Sequence, residues 1–274
     1  METLSGNIRK MKASVETPVS YMLPLGNNEL PLNALLGKTL RLEFTGQIIC
    51  GGCGQPTKKS FSEGFCYRCF TTLAQCDLCI VKPELCHFAK GTCREPEWGL
   101  THCMQPHYVY LANASGLKVG ITRASQIPTR WLDQGAVQAL PVLKVQSRHQ
   151  AGLVEVALKQ HVSDRTDWRK MLKGEPELYD LLMQRGELLS RCEQALAQIV
   201  SETKKETLAV LEQETVRSFA YPVLQYPTRV TALNIEKTPR IEGTLLGIKG
   251  QYLILDIGVL NVRKFTGYQV AVSV

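Results

Sequence analysis

The chain has 274 residues, of which 44% are hydrophobic and 21% are charged, a composition typical of a folded protein and not of a disordered one. Its apolar runs are shorter than the roughly 20 residues that a membrane-spanning helix needs, so the sequence predicts no membrane span and no membrane partner. The formal net charge is +7.

Residues 1–49 are predicted to form an N-terminal β element. Short apolar runs alternate with turn signals, and the period of two in Leu40, Leu42 and Phe44 indicates a half-buried strand. The polar start of the chain lacks a charged-then-apolar leader, which predicts a cytoplasmic protein with reduced thiols.

Residues 50–107 hold nine of the ten cysteines and are predicted to form a zinc-binding module. The first four have the spacing C-x2-C-x12-C-x2-C; they are Cys50, Cys53, Cys66 and Cys69. Two residues between paired thiolates let a tight turn aim both sulfurs at one ion. The sequence therefore predicts a structural zinc site here.

A second structural zinc site is predicted from the next cysteines along the chain. The four candidate ligands that lie nearest one another in the sequence have the spacing C-x2-C-x6-C-x6-C; they are Cys76, Cys79, Cys86 and Cys93. The spacing does not eliminate four rival ligands: Cys103, His87, His102 and His107. An iron–sulfur cluster is the alternative for so many thiolates, and disulfides are the alternative in an oxidising compartment. Cys192, outside the cluster, is predicted to be a buried apolar residue.

Residues 108–174 are predicted to form a basic domain with the order β-hairpin, helix, strand, helix. Two short apolar strands flank a turn at 113–116, and Pro128 can open a helix that Gly135 ends. A strand over 140–145 and a helix from about Ala151 follow. The segment carries ten Lys and Arg against four Asp and Glu, which favours a polyanionic partner such as DNA or RNA. A solvated basic face without a partner is the alternative.

Residues 175–219 are predicted to be helical, beginning near Pro176, with Leu178, Leu181 and Leu182 on the buried face. Residues 220–274 return to strands, predicted at 229–235, 242–248, 251–257 and 259–264. Because an isolated hairpin is only marginally stable, the strands of both chain ends are predicted to pair in one small sheet or barrel. The predicted fold class is α+β, with this sheet, the zinc module, the basic α/β domain and a helical spacer.

The basic segment resembles the GIY-YIG nuclease superfamily. Tyr108-Val-Tyr110 stands where the first signature strand would be, and Lys118-Val-Gly120 looks like the second. Arg130 falls on the following helix and Glu155 on the later one. The motifs CREPEWG, LKVGITR, PTRWLDQGA and GIKGQYLIL also resemble a whole-chain family of bacterial proteins described as a domain of unknown function, which implies a cytoplasmic protein.

The nuclease resemblance implies metal-dependent cleavage of a phosphodiester bond. In that reaction Tyr108 or Tyr110 would align the attacking water, Arg130 would stabilise the phosphate, and Glu155 would hold Mg²⁺ or Mn²⁺. Phosphate contacts would come from Lys118 and Arg123 together with Arg130.

Two departures from the superfamily favour other functions. Tyr108 replaces the leading Gly of the first motif, and Lys118 replaces the Tyr of the second. One alternative is therefore a module that binds nucleic acid without cleaving it, and another is a zinc-stabilised scaffold for protein interactions. The sequence does not distinguish DNA from RNA.

Overall fold

The computed structural model of the protein describes residues 3–203 and 207–274. The strands are β1 (Thr3–Asn7), β2 (Lys12–Ser14), β3 (Ser20–Leu25), β4 (Asn28–Pro31), β5 (Thr39–Ile49), β6 (Pro56–Thr57), β7 (His107–Asn113), β8 (Leu117–Arg123), β9 (Gln138–Val145), β10 (Leu208–Val210), β11 (Arg217–Ser218), β12 (Arg240–Lys249), β13 (Tyr252–Leu255), β14 (Gly258–Asn261) and β15 (Tyr268–Ser273). The α-helices are α1 (Tyr67–Thr72), α2 (Leu78–Val81), α3 (Pro96–His102), α4 (Thr129–Asp133), α5 (Arg148–Leu158), α6 (Trp168–Met171), α7 (Leu181–Arg191) and α8 (Glu193–Glu202). This mixture of helices and antiparallel sheets confirms the α+β class. Within the described ranges, every helix is too short or too polar to span a bilayer.

One antiparallel sheet joins the two ends of the chain. Its strand order is β1-β15-β5-β12-β13-β14, with β6 paired to the end of β5. The β1 register with β15 runs from Thr3 opposite Ser273 to Asn7 opposite Gln269, and β5 pairs with both β15 and β12. The predicted pairing of N-terminal with C-terminal strands is confirmed. A separate small sheet, ordered β2-β3-β4, packs beside it.

The central sheet is built on the predicted hairpin. The strand order is β10-β9-β7-β8, with β11 also paired to β9. Because side chains alternate along a strand, Val109 and Leu111 of β7 pack with α5, whereas Tyr110 and Ala112 enter the core that the terminal sheet forms. The basic segment and the terminal sheet therefore share one hydrophobic core. The predicted order of hairpin, helix, strand and helix is confirmed over this segment.

The predicted helical segment differs from the structure at both ends. The first helix, α7, begins at Leu181 and not near Pro176, because the Asp180 carboxylate accepts hydrogen bonds from the first backbone amides of the helix. Leu178, which precedes this cap, is 73% exposed and Leu182 is 47% exposed, so the predicted burial of both is wrong, whereas Leu181 is buried as predicted. At the other end, β10 and β11 add to the central sheet where helix was predicted. Residues 204–206 of this segment lie outside the described residues.

The strand predicted over 229–235 is also wrong. In the described part of the chain this segment contributes an isolated bridge between Ala232 and Val259. The Leu233 amide donates a hydrogen bond to the Val259 carbonyl, and the Val259 amide donates one to the Thr231 carbonyl. Alternating apolar residues therefore mark a stretch that lies along the edge strand β14 without forming a ladder.

A buried lysine at the end of β12 gives the fold a distinct pH dependence. Lys249 is fully buried, with its Nζ 3.2 Å from the Gly174 carbonyl oxygen and 3.4 Å from the Tyr226 hydroxyl. Burial lowers the pKa of Lys249 to about 8, although Glu175 partly opposes the shift. Between that pKa and the ordinary value of 10.5, the unfolded chain holds a proton that the folded chain has lost. The contribution of Lys249 to stability therefore rises with pH across this window.

We expect Lys249→Met to remove that rise, which amounts to about 3 kcal/mol in the free energy of unfolding. The measurement is urea unfolding of the variant and the wild type at several pH values between about 8 and 10.5. Lys237→Met, at an exposed lysine, is the control and should keep the wild-type pH profile. Identical profiles for Lys249→Met and the wild type would refute the assignment.

Candidate functional site

The first four cysteines come together at one end of the terminal sheet. Cys50 follows β5, Cys53 lies in the turn that leads to β6, Cys66 precedes α1, and Cys69 lies within that helix. Their sulfur atoms all lie within 4.8 Å of one another, and the Cys53 and Cys66 sulfurs are 3.9 Å apart. A tetrahedral zinc ion with Zn–S bonds of about 2.3 Å separates its thiolates by about 3.8 Å. The geometry therefore fits a zinc site.

The backbone around Cys50 favours the thiolate form of this residue. The amides of Gly52 and Cys66 donate hydrogen bonds to the Cys50 sulfur at 3.4 and 3.2 Å. Burial of Cys50 opposes ionisation, but the amides of Cys53, Cys66 and Gly52 outweigh it and lower the pKa of Cys50 to about 6. A thiolate is the form that binds zinc, and amide donors of this kind hold it in place. Gly52 is needed because a Cβ there would lie 3.0 Å from the Cys69 sulfur.

In the second group, the four cysteines of the spacing C-x2-C-x6-C-x6-C do not all line one cavity. Cys79, Cys86, Cys93 and Cys103 line one small cavity, whereas Cys76 lines a separate groove. Asp77, Cys79 and His87 also offer ligand atoms within 4.8 Å of one another.

The two other rival histidines have different surroundings. The ring of His102 stacks on Trp98 with centroids 4.2 Å apart. His107 is buried at the start of β7, and burial lowers its pKa to about 4. Its Nδ1 lies 2.7 Å from the Gln105 carbonyl oxygen.

A long groove, here called the central groove, runs between the Cys-rich segment, the central sheet and the terminal sheet. Its basic residues are Lys10, Arg94, Lys118, Arg123, Arg130, Arg148 and Arg263. Its acidic residues are Glu63, Asp77, Asp133, Glu155 and Asp164. Three of the acids pair with groove cations, Asp77 with Arg94, Asp133 with Lys10 and Glu63 with Arg263, at 2.6 to 2.9 Å. The other groove cations are Lys118, Arg123, Arg130 and Arg148, and the other groove acids are Glu155 and Asp164.

The structure brings five of the six predicted catalytic and phosphate-binding residues to this groove. They are Tyr110, Lys118, Arg123, Arg130 and Glu155. The sixth, Tyr108, is half-buried in β7 opposite Thr122 and Lys144 and does not itself line the groove. Of the two tyrosines of the first motif, the geometry therefore favours Tyr110.

Tyr110 forms part of the groove floor and is completely buried. Its hydroxyl donates a hydrogen bond to Gln134 Oε1 at 3.0 Å, and its ring meets Trp131 edge to face at 5.9 Å. Burial raises the pKa of Tyr110, and the neighbouring Arg130 opposes that rise. Tyr110 is therefore a neutral hydrogen-bonding group held in one orientation.

Gly120 makes room for that ring from the neighbouring strand. A Cβ at position 120 would lie 2.6 Å from the Tyr110 hydroxyl oxygen and 2.7 Å from Cζ. We expect Gly120→Ala to displace Tyr110 from Gln134 and to lower the free energy of unfolding by about 1–3 kcal/mol, measured by urea denaturation. Gly186→Ala in α7, where an added Cβ meets nothing within 4 Å, should instead stabilise the protein by about 0.5–1 kcal/mol. Wild-type stability in Gly120→Ala would contradict the packing described.

The pKa values of two groove residues, Glu155 and Lys118, are shifted from their ordinary values. Burial and then the nearby Asp164 raise the pKa of Glu155, although Lys118 and Arg130 oppose the effect. Burial and Arg130 lower the pKa of Lys118 to about 8, and its Nζ is 3.3 Å from the Thr166 hydroxyl. A bound cation would favour the ionised form of Glu155, and carboxylate oxygens suit Mg²⁺ or Mn²⁺.

Three groove residues were not identified from the sequence. Arg148 begins α5, and its Nη2 donates to the Ile80 carbonyl at 2.5 Å, which ties the helix to the Cys-rich segment. Asp164 lies beyond α5 in the chain and reaches the groove through the fold. Gln134 follows α4 and orients Tyr110. These residues have no spacing signal, because each is brought to the groove by packing between distant segments.

The family comparison covers most of the site. Residues 37–270 match the model of the family described as "Protein of unknown function (DUF2797)". The matched range contains both groups of clustered cysteines, the central sheet and all of the groove residues except Lys10. Comparisons with curated proteins and with solved structures each gave no match.

Proposed function

Because the chain belongs to the DUF2797 family, whose description assigns no activity, we propose a function from the central groove itself. The protein binds a DNA or RNA strand in this groove and cleaves a phosphodiester bond there, with a divalent metal ion held at Glu155. The zinc held by Cys50, Cys53, Cys66 and Cys69 is structural.

The observation that carries the proposal is the convergence of Tyr110, Arg130 and Glu155 on one groove. They come from a strand and two helices that are far apart in sequence. A phosphodiesterase site needs a cation for the phosphate, a carboxylate for a metal ion, and a group that positions water. The strand order β9-β7-β8 with α5 packed on one face also agrees with the resemblance to the GIY-YIG superfamily.

Each residue has a role that follows from its surroundings. The Arg130 guanidinium can donate two parallel hydrogen bonds to a phosphate, and Lys118 and Arg123 extend the positive surface along the groove. Tyr110 presents a neutral hydroxyl, oriented by Gln134, to a water molecule. A Mg²⁺ or Mn²⁺ ion at Glu155 would withdraw negative charge from a phosphate oxygen.

A second candidate function is binding without cleavage. It is favoured by the complete burial of Tyr110, whose hydroxyl already donates to Gln134, and by Lys118 in place of the second tyrosine. In that case the groove cations bind phosphates, and Glu155 serves to balance the charges of Lys118 and Arg130. Both candidates require a nucleic-acid strand in the same groove.

The deciding experiment is a cleavage and binding assay with labelled single-stranded DNA, double-stranded DNA and RNA, each with Mg²⁺ or Mn²⁺. We expect Glu155→Gln to slow cleavage by at least about 100-fold, because it removes the metal-binding charge while keeping the shape. Glu187→Gln, at an exposed glutamate of α7 outside the groove, is the control and should cleave at the wild-type rate.

Three other outcomes are informative. Binding without cleavage by the wild type supports the second candidate. Cleavage that survives in Glu155→Gln refutes the assignment of Glu155. The absence of salt-dependent binding to any of the three nucleic acids refutes both candidates and favours a protein-interaction scaffold.

A further inference from the structure

Four cysteines with buried or half-buried side chains line one small cavity beside the central groove; they are Cys79, Cys86, Cys93 and Cys103. They come from four separate turns, since Cys79 lies in α2, Cys86 follows a 3-10 turn at Pro83–Leu85, Cys93 precedes α3, and Cys103 ends it. Gly99 of α3 lets the Phe88 ring pack against this helix beside the cavity, because a Cβ there would lie 2.9 Å from Phe88 Cδ2.

We propose that Cys79, Cys86, Cys93 and Cys103 hold a second structural zinc ion, and that Cys76 is not a ligand. Four thiolates complete the shell of a closed structural site. The ring of Phe88 and the ring of Trp98 line the same cavity and shield it from solvent.

Cys76 is set apart from this group by the local backbone. It ends the 3-10 turn Ala74–Cys76, and Asp77 then caps α2, so that Cys79 lies on the cavity while Cys76 lines the groove. The C-x2-C spacing of this pair therefore marks a helix cap and not a knuckle.

Asp77 and His87 are better explained as supports than as ligands. The Asp77 carboxylate accepts from Arg94 Nε at 2.7 Å and from the Cys79 amide at 3.3 Å. His87 Nε2 lies 3.4 Å from the same carboxylate, and its Nδ1 lies 2.8 Å from the Thr92 hydroxyl. Asp77 and His87 line the same cavity, and this network holds Cys79 in place from its wall.

The test is zinc content per chain after loading with zinc and removal of the excess. The wild type should hold two zinc ions, Cys103→Ser should hold one, and the matched variant Cys76→Ser should still hold two. His87→Ala should also keep two. A wild type that holds a single zinc, or a Cys76→Ser variant that loses one while Cys103→Ser keeps both, would overturn the assignment.

Thiol alkylation of the wild type tests the same point without relying on a variant that folds. With zinc bound, N-ethylmaleimide should modify Cys76 while Cys79, Cys86, Cys93 and Cys103 are protected, as mapped by peptide mass spectrometry. A strong chelator should then open those four to modification. Equal modification of Cys93 and Cys103 with and without zinc would refute the site. Neither readout involves nucleic acid. A negative result would therefore refute the second zinc site without bearing on the proposed function.

Discussion

Cys69→Ser should remove the zinc ion of the first site and unfold the turns that join β5, β6 and α1. The Cys69 sulfur is one of four that lie within 4.8 Å of one another, and its loss leaves three thiolates around the ion. Weakening an outer-shell partner of a zinc site costs about 10–100-fold in affinity, so the loss of a direct ligand should cost more. Because zinc binding is coupled to folding, the stability of this segment falls with it.

The measurements for Cys69→Ser are zinc content and thermal unfolding with and without a chelator. The variant should hold one zinc ion fewer than the wild type and should unfold at a lower temperature. Cys192→Ser is the matched control, because Cys192 is buried but lies outside both groups of clustered cysteines. It is expected to keep all of the zinc. Full zinc content in Cys69→Ser would show that this cluster is not a metal site.

Arg130→Ala should slow phosphodiester cleavage by about 100–1,000-fold, the usual cost of removing one preorganised group that stabilises transition-state charge. Arg130 is half-buried on α4 and lies close enough to the Tyr110 hydroxyl to oppose the effect of burial on its pKa. A charge in this partly dry position acts more strongly on a phosphate than an exposed arginine does. Substrate affinity should fall much less than the rate.

The rate and the dissociation constant have to be measured separately for Arg130→Ala, with single-turnover cleavage and equilibrium binding. Arg191→Ala, at an exposed arginine of α7, is the control and should match the wild type in both. If Arg130→Ala and Arg191→Ala lowered the cleavage rate and the binding affinity equally, general electrostatic attraction would explain the effect. An unchanged cleavage rate in Arg130→Ala would remove this residue from the reaction.

Local signals in the sequence were sufficient for much of the fold. The short spacing of Cys50, Cys53, Cys66 and Cys69 predicts a cluster because each pair is fixed by its own turn. The hairpin β7–β8 was predicted because it needs only alternating side chains and a turn. The pairing of both chain ends followed from the instability of isolated strands.

The wrong prediction for Leu178 arose where an apolar pattern runs past the end of a helix. Leu178 continues the apolar period of α7, yet the Asp180 cap starts the helix beyond it. A short polar side chain that satisfies backbone amides therefore decides where this helix begins. Asp77 caps α2 in the same way between Cys76 and Cys79.

The central groove itself could not be derived from the sequence, although most of its important residues were identified. It forms where three segments meet, and its walls are joined by contacts such as Arg148 to the Ile80 carbonyl. At Gly152, α5 comes so close to the Cys-rich segment that a Cβ would lie 2.4 Å from the Glu84 amide nitrogen. Such contacts between distant residues depend on the whole fold.

The salt dependence of nucleic-acid binding tests the central claim most directly. For the wild type, the logarithm of the association constant should fall linearly with the logarithm of salt concentration as phosphate contacts release counterions. Arg123→Ala and Arg130→Ala should each make that slope shallower by about one, whereas Arg191→Ala should leave it unchanged. Wild-type protein that does not bind at low salt, or slopes that are identical in all three variants, would contradict a phosphate-binding role for the central groove.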